Sequence, residues 1–255
     1  MVSRKFKRIK VRVKTPIAKT GNGAIAGGKR NNLLLLGTNG ENGNDGKRYL
    51  VKGIRGLLNH SMMALAKQQG IEICHSSDKT ETQKGVKLLP EGFHPNGACF
   101  PENECIRHRI MGSIKKPSQI KFEPVIIIST YAKGENGDAQ KVHIATETRN
   151  SLVQGSKQAI QDFGERYFSG KFTLKIEFNE ELKQEEIGFL LNAILFMPEL
   201  GLGASINYGS GKIELLEIML QEVIRTRSIN KNGKIHEEEM ERNLKKQMEE
   251  ALEAW

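Results

Sequence analysis

No aspartate or glutamate occurs in residues 1–40, yet the same stretch carries Arg4, Lys5, Lys7, Arg8, Lys10, Arg12, Lys14, Lys19, Lys29 and Arg30. Cations without acids suit phosphate, and they supply no carboxylate base to a reaction placed there. The chain has only three cysteines. That excludes a disulfide framework and leaves thiols or metal ligands. No apolar run approaches the roughly 20 residues that a membrane-spanning helix needs. The basic N-terminus is followed by no apolar segment of the signal-peptide kind, so a cytoplasmic protein without a membrane partner is expected. Aromatics make up 6% of the residues, and the strands carry no aromatic cluster of the type on which RNA-recognition sheets stack bases. No glycine-rich loop ending in Gly-Lys-Ser/Thr is present, which excludes a phosphate-binding loop of the Walker type.

What is present is a chain of 255 residues with 38% hydrophobic and 27% charged content, enough for a sizeable core. Its formal charge of +9 points to a polyanion, nucleic acid before a membrane surface. A lysine-rich protein with no such partner has the same balance. Acids gather at the other end, at Glu237, Glu238, Glu239, Glu241, Glu249, Glu250 and Glu253. They suit a solvated helix or a contact for a basic neighbour.

Residues 6–14 alternate, with Ile9, Val11 and Val13 on one face and Lys10, Arg12 and Lys14 on the other, which predicts a half-buried strand with a basic outer face. Residues 15–48 are rich in Gly and Asn and read as a long loop, interrupted by Leu33 to Leu36. Ile54, Leu57, Leu58, Met62 and Leu65 form the stripe of a helix over 52–69. Residues 70–119 read as irregular. One buried strand is expected over 121–131, a shorter one at 141–147, and polar irregular chain over 148–170. Phe172, Leu174, Ile176 and Phe178 alternate with Lys171, Thr173, Lys175 and Glu177, a further strand. Asn179 is the expected cap of the next helix, with Glu180 and Glu181 in its first turn and Pro198 at its end. A glycine-rich segment, Gly201 to Gly211, precedes a strand at 212–220. Met240, Leu244, Met248 and Leu252 at spacings of four predict a last helix over 236–254.

The resulting order is strand, helix, strand, long insertion, strand, helix, strand, the split pattern of a ferredoxin-like, RRM-like core. The fold class is therefore α/β in the α+β sense. One core is expected over 1–235, with insertions at 15–48, 70–119 and 148–170, and a C-terminal helix over 236–255. Cys74, His75, Cys99, Cys105 and His108 fall in the second insertion. An insertion with little core of its own gains from a zinc staple, so Cys74, Cys99, Cys105 and His108 are candidate zinc ligands, with free thiols as the alternative.

Together with the basic first strand, the helix opening Ile54-Arg55-Gly56-Leu57-Leu58 and the late Tyr208-Gly209-Ser210-Gly211-Lys212 resemble the CRISPR-associated RAMP superfamily. Ala145 to Asn150, Tyr167 to Phe172 and Cys105 to Gly112 look more narrowly like its Cas-seven backbone family, nearest to the type I-D subunit. Gly53 and Asn59 depart from the Ser and Arg often found at those places in the superfamily helix. The resemblance implies a subunit of a CRISPR effector complex that coats guide crRNA through phosphate contacts. It also implies target DNA recognised by guide pairing, head-to-tail copies of the chain, and other effector subunits as partners. The residues expected at the RNA are Lys19, Lys29, Arg30, Lys52, Arg55, Arg149, Arg166, Gly209, Gly211 and Lys212. By analogy, a hairpin from 15–48 or 148–170 would press over the RNA of a neighbouring copy.

Type III relatives cleave RNA with an Asp in the first long loop, whereas residues 15–40 here hold no acid and only Glu41 and Asp45 follow. Asn31 and Asn32 cannot replace a base. A non-catalytic subunit is expected. The enzyme alternative is a RAMP-family endoribonuclease, for guide processing or type III-like cleavage, with His60 or His143 as a metal-independent acid–base. An unrelated structural RNA-binding protein is a third reading.

Overall fold

A computed structural model describes residues 2–19, 33–38, 47–51, 53–71, 73, 105–112, 117–129, 141–151, 161–179, 181–202, 211–230 and 232–255. In chain order its elements are β1 (Val2–Lys19), β2 (Leu33–Thr38), β3 (Lys47–Val51), α1 (Ile54–Gln68), α2 (Ile106–Met111), β4 (Ile120–Phe122), β5 (Val125–Ser129), β6 (Lys141–Ser151), β7 (Gln161–Phe178), α3 (Gln184–Leu200), β8 (Glu214–Ile229), β9 (Ile235–Asn243) and α4 (Lys245–Glu253).

The centre is built from β1, α1, β4, β7, α3 and β8. Strand β1 pairs antiparallel with both β7 and β8, and β4 pairs antiparallel with β7. The spatial order β8-β1-β7-β4 with helical crossovers through α1 and α3 is the split strand-helix-strand arrangement. The protein is thus a mixed α+β fold with a ferredoxin-like, RRM-like core. Beyond the core the sheet continues as β6, β5, β3 and β2 on one side and β9 on the other.

Alternation decides which side of the sheet is dry. Ile9, Val11 and Val13 of β1 and Phe172, Leu174 and Ile176 of β7 point to α1 and α3 and are buried with Leu58, Met62, Phe189 and Leu190. Each such side chain contributes roughly 1.5–3 kcal/mol by leaving water. The Ser61 hydroxyl of α1 donates to the Ala193 carbonyl of α3 and fixes the helices against each other.

Several local expectations need correction. The stretch 121–131 is two strands, because Pro124 has no N–H for the ladder. Residues 148–151 and 161–170 are not irregular: β6 runs to Ser151 and β7 starts at Gln161, paired from Val142↔Gly170 to Ser151↔Gln161. Within 15–48, β1 extends to Lys19 and β2 and β3 form a hairpin, while 70–119 includes α2. Helix α3 is capped at Lys183 rather than Asn179, and the acids of its first turn are Glu185 and Glu186. The Glu186 carboxylate accepts the Lys183 N–H at 2.8 Å, which fixes the start one turn later than expected, and Pro198 lies inside the last turn. The expected helix over 236–254 is the strand β9 followed by the short α4.

That last correction has a visible cause. The Asn230 side chain accepts the N–H groups of Asn232 and Lys234, Gly233 donates to the Asn230 carbonyl, and Gly233 has φ 74°. The turn returns the chain along β8, and tertiary pairing overrides helix propensity. Helix α4 then packs on α3, with Trp255 and Phe189 ring centroids 4.6 Å apart. Gly188 makes this approach possible, since a Cβ there would collide with the Ala251 carbonyl and lie 2.8 Å from Trp255 Cβ. Gly188→Ala is expected to destabilise the protein by about 1–3 kcal/mol despite alanine's better helix propensity. A lower urea midpoint with red-shifted emission from Trp255, the one tryptophan, checks this. An unchanged spectrum would refute the close packing of α4.

Candidate functional site

Topology brings three segments to one end of the sheet. Strand β1 finishes there, α1 starts after the β2–β3 hairpin there, and β8 leaves the glycine-rich segment there, with Lys14 opposite Glu214. The Thr15 hydroxyl donates to the Lys212 carbonyl at 2.8 Å, and the Leu202 N–H donates to the Gly211 carbonyl at 2.7 Å. These bonds join the two ends of the glycine-rich segment, whose residues 203–210 lie outside the described set. Gly211 has φ 85° and Gly201 φ 70°, conformations that favour glycine. Gly53, with φ 88°, precedes α1 and supplies no side-chain cap.

Of the residues expected at RNA, Lys19 ends β1, Gly211 is buried at the loop neck, and Lys212 is exposed beside it. Arg55 is exposed in the first turn of α1, and its guanidinium donates to the Met111 carbonyl at the end of α2 at 2.8 Å. Arg149 lies opposite Phe163 and Arg166 opposite Thr146 in the β6–β7 ladder. Lys29, Arg30, Lys52 and Gly209 lie outside the described residues, as do Glu41 and Asp45. His60 is exposed on α1, and His143 stands opposite Ser169.

Cys74 and Cys99 are also outside the described residues. Cys105 is half-buried at the start of α2, and His108 is buried. His108 Nε2 lies 2.9 Å from an Arg107 guanidinium nitrogen. A guanidinium only donates, so Nε2 accepts in this contact and the neutral ring carries its proton on Nδ1. Among the described residues no group of three or more His, Cys, Asp or Glu could hold a metal ion.

The sheet face turned away from the helices carries a cluster of arginines and glutamates. Arg8, fully buried, reaches Glu123 at 2.7 Å, Glu177 at 3.0 Å, Glu239 at 2.9 Å and Glu241 at 2.8 Å. Arg225 joins it through Glu177 at 2.7 Å and Glu239 at 2.6 Å. Both guanidiniums, with that of Arg4, lie over the Phe6 ring at 4.9–5.5 Å. Burial works against the Arg8 charge, but hydrogen bonds to Glu239 and Glu177 outweigh it and raise its pKa above the ordinary arginine value. The Arg8 hydrogen bond, against burial and with help from Arg225, holds Glu239 down at about 2. Burial opposes the Glu177 charge, yet hydrogen bonding with Glu123 and Arg8 and the Arg225 charge keep its pKa low.

Much of the N-terminal basic charge is therefore matched inside the chain. Lys5 meets Glu222, Arg12 meets Glu217 at 3.3 Å, and Lys14 meets Glu214 at 3.0 Å. The acids of 237–241 include internal partners on β9, Glu237, Glu239 and Glu241, so this stretch is not a solvated helix. The period-two spacing of those three acids was the signal available for this.

A family model for the RAMP superfamily matches residues 10–214. No curated protein sequence matches the chain. Among solved structures, a chain from the cryo-EM structure of the Type III-B Cmr-beta bound to cognate target RNA is 12% identical with a TM-score of 0.39. The match covers 85% of this chain but only 61% of that one. A chain of a Type IV-B CRISPR complex is 12% identical with a TM-score of 0.46, over 83% of this chain and 90% of that one.

Proposed function

The chain belongs to the RAMP superfamily, and from that premise we propose that it is the crRNA-binding backbone subunit of a CRISPR effector complex. The observation that carries the reading is the family match itself, which runs from β1 through the glycine-rich neck. The gathering of the β1 end, the α1 start and Gly211–Lys212 at one end of the sheet supports it. Phosphate contacts there would hold the guide open for pairing with target DNA, so that sequence is read by the guide. Head-to-tail copies would repeat the contact along the guide beside other effector subunits, in an assembly of the type I-D kind. The β6–β7 ladder, paired out to Ser151↔Gln161, is the better candidate for the hairpin that crosses a neighbour's RNA. Zinc held by Cys74, Cys99, Cys105 and His108 would brace the second insertion.

We propose further that the subunit does not cleave, because residues 1–40 offer no acid. Mixed with a long guide RNA, the protein should form regularly spaced multimers on native gels and leave guide and complementary strand intact with or without Mg²⁺. Cleavage abolished by His60→Ala or His143→Ala would overturn this in favour of a processing ribonuclease. Cleavage abolished by Asp45→Ala would indicate a type III-like nuclease. One-to-one binding at every RNA length would favour an unrelated RNA-binding protein.

A further inference from the structure

Along β1 the positions facing away from the helices are Arg4, Phe6, Arg8, Lys10, Arg12 and Lys14. The first three belong to the Arg8–Arg225 cluster. The last three look across to β7, where Lys10 opposes Lys175, Arg12 opposes Thr173 and Lys14 opposes Lys171. Like charges placed directly opposite destabilise an antiparallel pair. Between β8 and β9 the same sheet follows the opposite rule: Arg225 opposes Glu239, Arg227 opposes Glu237 and Glu222 opposes Arg242. On the β8 side of β1, Arg4 opposes Arg225, but there Glu177 and Glu239 bind the Arg225 guanidinium. The strip between β1 and β7 has no such enclosed acids of its own.

The acids near it offset its charge only in part. Glu214 and Glu217 stand directly opposite Lys14 and Arg12 on β8 and pair with them, but all four side chains are exposed, where ion pairs contribute little. Lys10 is 3.9 Å from Glu241, and Lys175 is 3.3 Å from Glu123, both acids already engaged by Arg8. Lys171 is exposed and has no acidic partner among the described residues. The strip also runs into the glycine-rich neck, since Thr15, next to Lys14, binds the Lys212 carbonyl.

We propose that this strip between β1 and β7 holds the phosphate backbone of a single RNA strand adjoining the glycine-rich end. The inference rests on the guide-coating reading and assigns it a second contact surface. Cations two residues apart along a strand stand about 6.7 Å apart, a ladder suited to successive phosphates of an extended strand. Phe6, the aromatic on this face of β1, is buried under three arginines. Base stacking of the kind RNA-recognition sheets use is thus not offered by this strand, and the contact is to phosphate.

The test compares Lys14→Ala/Lys171→Ala with wild type and with Lys245→Ala, a change on α4, using a long polyuridine RNA. The paired variant should bind several-fold more weakly, and the slope of log affinity against log salt should shrink by about 1.4, the share of two single-strand phosphate contacts. Its urea midpoint should hold or rise, because a like-charge pair has been removed. Lys245→Ala should match wild type. Affinity and slope equal to wild type in the paired variant would overturn the strip while leaving the guide-coating reading intact. A lowered urea midpoint would overturn it too, by making the lysines structural. If wild type itself fails to bind RNA, the guide-coating reading falls, and this inference falls with it.

Discussion

Arg8→Ala is expected to cost about 3–5 kcal/mol of folding stability at pH 7, because it leaves buried carboxylates without their shared cation. Arg8 is fully buried, and Glu177 beside it is 3% exposed. Glu123, Glu239 and Glu241 complete the ring, with Arg225 as the remaining guanidinium and Lys10 and Lys175 at longer range. The pH dependence distinguishes this from ordinary loss of packing. In wild type, Glu239 is held at about 2, below its unfolded value, and Glu177 is also held low. A depressed folded pKa contributes stability that is present above the unfolded value, about 4.3, and is lost as pH falls through the folded one. Wild type should therefore lose stability between roughly pH 4.5 and 2. In Arg8→Ala the same carboxylates repel one another, their pKa values rise, and protonation relieves the strain. The stability gap to wild type should be widest near pH 7 and should close below about pH 4. Urea midpoints across that range measure it, and a gap independent of pH would refute the electrostatic account. Adding Glu177→Gln to Arg8→Ala should restore part of the loss, since the two residues share one interaction.

The central fold was legible because its signals are local. Alternation in 6–14 and 171–178 and the apolar stripe of α1 each arise within a short stretch, and their order is enough for the split topology. Strand β9 was not legible from the helix-like spacing at Met240, Leu244, Met248 and Leu252. The Asn-Gly turn at 232–233 and the period-two acids competed with that spacing, and the turn won because the acids find Arg225 and Arg227. The cationic face of β1 was visible as a pattern, but the fate of its charges was not. Arg8 meets its partners at sequence separations of 115, 169, 231 and 233 residues. Nothing local distinguishes Arg8, which is enclosed by carboxylates, from Arg12, which is half exposed at the rim. The Arg55 bond to the Met111 carbonyl is hidden for the same reason, so an RNA defect in Arg55→Ala must be read beside the stability of α2.

Affinity for single-stranded RNA is expected to fall by about 10²–10⁴ between 50 and 200 mM salt, with little dependence on base identity. The expectation follows from some six to ten neutralised phosphates at about 0.7 per contact on the log scale. A net charge of +9 alone also attracts RNA, so the decisive comparison keeps net charge constant. Lys29→Ala/Arg30→Ala and Lys245→Ala/Lys246→Ala each remove two positive charges. The first pair lies in the acid-free segment. The second lies on α4, where each lysine is more than four-fifths exposed and sits beside a glutamate one turn on. A defined RNA track predicts that the slope falls by about 1.4 in the first variant and stays unchanged in the second. Equal losses in both would mean diffuse attraction to a basic protein and would sink the backbone reading. So would an affinity that stays flat with salt, or a strong preference among homopolymers. Fluorescence anisotropy on short uridine and adenosine strands at several salt concentrations separates these outcomes, because a phosphate track treats both strands alike and responds to where a charge is removed.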